Sequence, residues 1–161
     1  MKRTLTLQNV VFALVVLVLL AAVPFSLRYA YQHGGFYLFS RQFFVDLPKR
    51  LKGPGRMRFI FQPAVAIFFG IRAGINDART GRQPYMLGVL FDGQQRRALL
   101  GEAFERLSVL IAMSILLDAL SQFLILHAVF PGAALVVGPV LIALPYSLAR
   151  ALTNRIARRT S

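Results

Sequence analysis

FIFQPAVAIFFGIRAGINDARTGRQPY, residues 59–85, opens as a membrane-crossing helix would and then acquires charge. Residues 59–71 are thirteen uncharged positions, and Arg72 ends the run. Whether this segment crosses a membrane, lies on one or packs within one decides the topology of the chain. At the α-helical rise of 1.5 Å, thirteen residues cover about 20 Å of a hydrocarbon core roughly 30 Å thick. Thr80-Gly81 is a helix-stop signal, and Pro84 forbids continuation. The stretch reads as a half-length interfacial or re-entrant helix, with Pro63 near its start.

The rest of the chain sets the context. Of 161 residues, 57% are hydrophobic, above the roughly 45–50% of soluble domains, and the mean hydropathy is +0.60. Lys and Arg number 19 against 6 Asp and Glu, a net charge of +13. Long apolar runs joined by basic loops are the composition of a small integral membrane protein whose positive charges mark its cytoplasmic side. A nucleic-acid-binding protein can share the isoelectric point of 11.6, but not an uncharged run such as VVFALVVLVLLAAVPFSL at residues 10–27. The excess of Arg over Lys points to a GC-rich bacterial genome, and so to a bacterial inner membrane.

Three further segments shape the expected fold. Residues 10–27 are a first transmembrane helix, which Pro24 bends or ends. Residues 107–126 contain one charge, Asp118, and read as a second; residues 133–149 read as a third, interrupted by Pro139 and Pro145. The expected fold class is an all-α integral membrane protein with three transmembrane helices and the half-length helix. Its organisation is an N-terminal transmembrane helix over 1–30, a basic cytoplasmic or interfacial segment over 31–106, and a transmembrane hairpin with a basic tail over 107–161. Within the middle segment, residues 48–58 form a loop punctuated by Gly53-Pro54-Gly55.

Charge bookkeeping supports that topology. The turn joining the last two spans carries no Lys or Arg, while both flanks are basic, so the turn lies outside and the C-terminus in the cytoplasm. If residues 59–75 crossed, Arg28, Arg41, Lys49, Arg50, Lys52, Arg56 and Arg58 would all lie outside. If they do not, only Lys2 and Arg3 are misplaced.

Helix faces supply the candidate contacts. Ala66, Gly70, Gly74 and Ala78 fall at i+4 steps, a ridge of small residues that admits another backbone. Ser114, Asp118, Ser121 and Gln122 share one face of the second span. A mid-membrane carboxylate costs roughly 2.5–3.5 kcal/mol, so this face turns to protein or water. It acts as hydrogen-bonded packing, with Asp118 protonated or paired to a neighbouring Arg. Gly138 is a small packing position on the third span. Lys49, Arg50, Lys52, Arg56, Arg58, Arg72 and Arg79 are candidate contacts for anionic headgroups, each worth about 1 kcal/mol near the surface.

Chemistry finds little to use. Without cysteine there is no thiolate nucleophile, disulfide or iron–sulfur site. His33 and His127 are too far apart in sequence and topology to ligate a haem or complete a triad with Asp118. Glu102 and Glu105 match a solvated helix face, and no metal or other cofactor is expected. Three spans bury little polar surface. The expected function is therefore a non-catalytic accessory subunit, fastened to other membrane-protein subunits or to its own copies and binding anionic phospholipid. A respiratory or photosynthetic energy-converting assembly is one such host. The alternative is a small oligomeric transport or proton-conducting protein using the Asp118 face.

Overall fold

The computed structural model describes residues 6–82 and 85–160, and these are all-helical, without a strand. Six helices follow in order: α1 Leu7–His33, α2 Arg41–Lys52, α3 Arg58–Arg79, α4 Tyr85–Phe91, α5 Gly93–Leu126 and α6 Pro131–Thr160. Four of them (α1, α3, α5 and α6) are long and apolar enough to cross a membrane.

Local chemistry explains the boundaries. The Thr6 hydroxyl accepts a hydrogen bond from the Asn9 amide at 3.4 Å and opens α1. Gly34 closes it at φ 68°, a left-handed conformation that a Cβ would disfavour, and donates to the Ala30 carbonyl. Pro24 neither bends the chain out of the helix nor ends it, because α1 continues to His33. Ser40 caps α2 by accepting from the Phe43 amide at 3.2 Å. The expected loop over 48–58 is therefore shorter than its sequence suggests: Pro48–Lys52 are helical, and only residues 53–57 turn.

The largest correction concerns α3. It begins at Arg58, five residues before Pro63, and runs for 22 residues. At 1.5 Å per residue that is about 33 Å, a full membrane thickness rather than half of one. Arg72 closes the uncharged run of thirteen residues but does not end the helix, which continues to Arg79 with the Arg72 guanidinium lying over the Phe68 ring one turn back.

The chain divides into two compact units. Of the described residues, 6–59 and 109–140 form the first, and 60–82, 85–108 and 141–160 the second. In the first unit, Val15 and Ala22 of α1 meet Ala112, Ile115 and Ala119 of α5 and Ala134 of α6. An aromatic layer adjoins them, with Tyr37 stacked on Phe130 at 3.8 Å and Phe43 edge-on to Tyr37 at 5.8 Å. Gly138 lets α5 and α6 approach closely here. A Cβ at that position would stand 3.0 Å from the Ile115 amide nitrogen, and the Ser114 hydroxyl donates to the Gly138 carbonyl at 2.7 Å.

Residues 37–57 pack against the end of α5 and the turn that follows it: Phe43 shares a cluster with Phe130, Gly53 faces Ile125, and Gly55 faces Ser121. The charge count expects 28–106 and the hairpin turn on opposite faces of a membrane, whereas in the structure residues 37–57 and the turn are seated together.

In the second unit the ridge of small residues on α3 is occupied by the chain's own α6. A Cβ on Gly70 would stand 2.5 Å from the Tyr146 carbonyl, and one on Gly74 2.5 Å from the Arg150 carbonyl. Ala66 is fully buried, but the next small residues on the buried face are Gly70, Ala73 and Gly74, followed by Asp77; Ala78 is only half-buried. Successive i+4 steps advance about 400° and rotate off the face, whereas alternating steps of four and three hold it.

Candidate functional site

Two buried arginine–carboxylate clusters organise the polar interior, one in each unit. The first is built on Asp118 of α5, which has no exposed surface. Arg50, in the last turn of α2, and Arg58, the first residue of α3, both reach its Oδ1; the Arg58 Nη1 contact is 2.5 Å, and the Arg50 Nη2 contact is also direct. Gln122 donates from Nε2 to Asp118 Oδ2 at 2.6 Å, and its Oε1 accepts from the Phe130 amide at 2.8 Å. That amide lies one residue before α6, where helix geometry leaves N–H groups without intrahelical partners. The network therefore runs from α2 and α3 through α5 to the head of α6.

The cluster is lopsided in charge. Two guanidinium groups face one carboxylate, and Arg58 additionally lies over the Phe59 ring, 4.5 Å from its centroid. A cation over an aromatic face gains roughly 0.5–2 kcal/mol, a partial substitute for a second anion. Nearby, Asp46 binds the Tyr37 hydroxyl at 3.1 Å, Gln42 Nε2 at 3.0 Å and Lys49 Nζ at 2.9 Å. Burial pushes the Tyr37 phenol well above its ordinary range, and the charge of Asp46 adds to the rise, so Tyr37 stays a neutral donor.

The second cluster was not anticipated. Arg150 of α6 is fully buried and grips Asp77 of α3 with two nitrogens, Nε at 2.6 Å and Nη2 at 3.0 Å. Its Nη1 donates to the Tyr146 hydroxyl at 3.1 Å, and the guanidinium lies 4.5 Å from the Tyr85 ring centroid. Such a bidentate fork is the strong, orientation-specific form of an ion pair. Glu102 of α5 lies 3.7 Å from Arg150 and binds Arg82 and Arg106 at 3.1 Å each, so it is a bridging group rather than part of a free solvated face. Burial also raises the Tyr85 phenol. A lone carboxylate in an apolar helix was the signal that marked Asp118, and Asp77 carries the same one.

The anticipated residues separate accordingly. Ser114, Asp118, Ser121 and Gln122 are buried together, and each has a partner inside the chain; Ser121 is 3.5 Å from the Pro54 carbonyl. Arg50 and Arg58 are withdrawn from the candidate headgroup set, because both are buried on Asp118. Lys49 is held by Asp46, while Lys52 and Arg56 are exposed. Arg72 and Arg79 are exposed on α3 and, with Ile75 and Asn76, line a hollow of about 330 Å³.

In the first unit a second hollow, about 490 Å³, lies between the end of α1 and the start of α6 and is walled by apolar side chains such as Val23, Leu27 and Phe36. His33 stacks on Tyr29 with centroids 4.1 Å apart, and His127 sits in a left-handed turn at φ 51°. Among the described residues no three His, Asp or Glu side chains converge as a metal site would require. Chemically, both clusters are buried ion-pair contacts that fasten helices: α2 and α3 to α5 in one unit, α3 to α6 in the other. No family model matches the chain, and no curated protein and no solved structure is significantly similar to it.

Proposed function

We propose that this chain is a non-catalytic accessory subunit of a larger assembly in a bacterial inner membrane, acting through contacts with partner helices and anionic phospholipid. One observation carries the reading: α1, with 27 residues, buries only Val15 and Ala22. Its remaining flanks, among them Leu14, Leu17 and Leu20, are exposed and apolar. A helix so lightly packed by its own chain has most of its surface available for lipid or for a neighbouring subunit. The partner-binding face thus moves from the Gly70/Gly74 ridge, which α6 occupies, to α1. A conduction path through Asp118, Ser121 and Gln122 is less well supported, because each of those groups is engaged in a fixed internal contact.

Four crossings are part of this proposal, with both chain ends cytoplasmic. The cytoplasmic side then collects Lys2, Arg3, Arg79, Arg82, Arg96, Arg97, Arg106, Arg155, Arg158 and Arg159. The opposite side keeps Arg28, Arg41, Lys49, Lys52 and Arg56, since Arg50 and Arg58 are neutralised in part by Asp118. The richer side is the inner one.

Both elements are testable. Purification of a tagged protein in mild detergent, with mass spectrometry of what accompanies it, should recover one or more membrane subunits in fixed ratio; a bare monomer overturns the accessory role. For topology, the absence of native cysteine gives a clean background. Arg56→Cys and His127→Cys should both react with an impermeant thiol reagent in intact spheroplasts. Gly53 is unsuitable for this purpose, because a Cβ there would press on Ile125 at 2.9 Å. Protection of Arg56→Cys alongside labelling of His127→Cys would return the sidedness to the three-span alternative.

A further inference from the structure

The arginines of this chain divide by whether they have an anion. Arg50, Arg58, Arg82, Arg106 and Arg150 each pair with a carboxylate. Arg72 and Arg79 of α3 have no carboxylate within ion-pair distance among the described residues, although they share one helix face with Asn76 at i, i+4 and i+7. The three side chains border the hollow of about 330 Å³. The opposite face of α3 carries Gly70 and Gly74 against α6, so the hollow looks away from that contact. The Arg72 guanidinium lies over the Phe68 ring, 5.1 Å from its centroid, which restricts the long side chain.

We infer that this hollow binds the phosphate of an anionic phospholipid. The inference rests on the membrane-bound, lipid-binding reading above and names its site. Two guanidinium forks and a side-chain amide spaced along one face match the several oxygens of a phosphate, which arginine holds in pairs. Along α3, Arg72 lies about 10 Å from Arg79, so in a crossing helix it sits well inside the headgroup layer. An unpaired arginine at such depth is unfavourable, and a phosphate drawn in beside it relieves that. Free phosphate offers the same oxygens. The apolar continuation favours lipid: Phe68, Val65 and Phe61 extend the same face toward the start of α3 and are exposed, a strip on which an acyl chain can lie.

Native mass spectrometry of the intact protein in detergent, titrated with phosphatidylglycerol and separately with phosphatidylcholine, tests this. Wild type should bind phosphatidylglycerol in preference. The double variant Arg72→Gln/Arg79→Gln should lose roughly ten- to thirtyfold in that affinity, from about 1 kcal/mol per basic residue. Arg97→Gln/Arg155→Gln, with the same change in charge, should bind as wild type. Both substituted arginines of the hollow are exposed, so an unchanged melting temperature is expected and separates a lost site from a lost fold. Arg72→Lys/Arg79→Lys should recover part of the affinity. A large excess of inorganic phosphate should leave the lipid bound; displacement would identify a free-phosphate site and overturn the inference. Preferential binding that survives Arg72→Gln/Arg79→Gln would overturn this site while leaving the lipid-binding role standing. Equal binding of both lipids by wild type would remove that role as well.

Discussion

Asp118→Asn should leave the first unit unable to hold its fold in mild detergent. The substitution keeps size and shape but takes the negative charge from between Arg50 and Arg58, which have almost no exposed surface. Breaking a buried pair by removing one partner costs about 3–5 kcal/mol, because the surviving charge is stranded. Here two charges are stranded, so the upper end of that range is the reasonable expectation. The measurements are thermal unfolding of the purified protein and limited proteolysis at residues 53–57, which should become susceptible. Arg50→Met/Arg58→Met/Asp118→Leu should restore most of the lost stability, since apolar residues often replace buried ion pairs without penalty. A variant Asp118→Asn as stable as wild type would show that the cluster is not structural. If that stable variant also lost a proton or ion flux, the conducting alternative would take precedence.

Gly70→Ala and Gly74→Ala are expected to be the next most damaging changes. Each added methyl would stand 2.5 Å from a carbonyl oxygen of α6, and a backbone atom has no rotamer through which to move aside. The helices must separate, at about 1–3 kcal/mol for each site in the range typical of overpacking. Separation would also stretch the fork between Arg150 and Asp77, so the double variant should lose more than either change alone. Gly101→Ala is the control, because nothing lies within 4 Å of a Cβ there. Inside α5, more than two turns from its start, that change should stabilise by roughly 0.5–1 kcal/mol through helix propensity alone. Equal melting temperatures for Gly70→Ala and Gly101→Ala would refute the close-packed seam.

Much of the architecture was legible in the amino-acid order, for reasons visible at particular residues. The 27 residues of α1 and the hairpin of α5 and α6 follow from long, largely apolar runs, and Gly70 and Gly74, small residues singled out on α3, lie against the α6 backbone. Asp118 was legible as a group that needs a partner. Its partners were not, because counting charges treats every arginine as solvated. Arg50 and Arg58 therefore weighed against a crossing at α3 when Asp118 in fact holds them. Residue separations of 68 and 73 between the members of the two ion pairs put such partnerships beyond any local pattern. The length of α3 is not legible from its uncharged run, because Arg72 is a charge on the flank of the helix and not its end.

Those separations also bear on how the polypeptide is made. A ribosome delivers Arg50 and Arg58 to the membrane well before Asp118, and Asp77 well before Arg150. A nascent chain that has reached only α4 holds two cations and one anion whose partners do not yet exist, each of them buried in the finished fold. The hairpin of α5 and α6 then arrives carrying the missing charge of both pairs. It serves the first half as a folding template synthesised last. Chains released before residue 118 lack the partner of every one of those three charges.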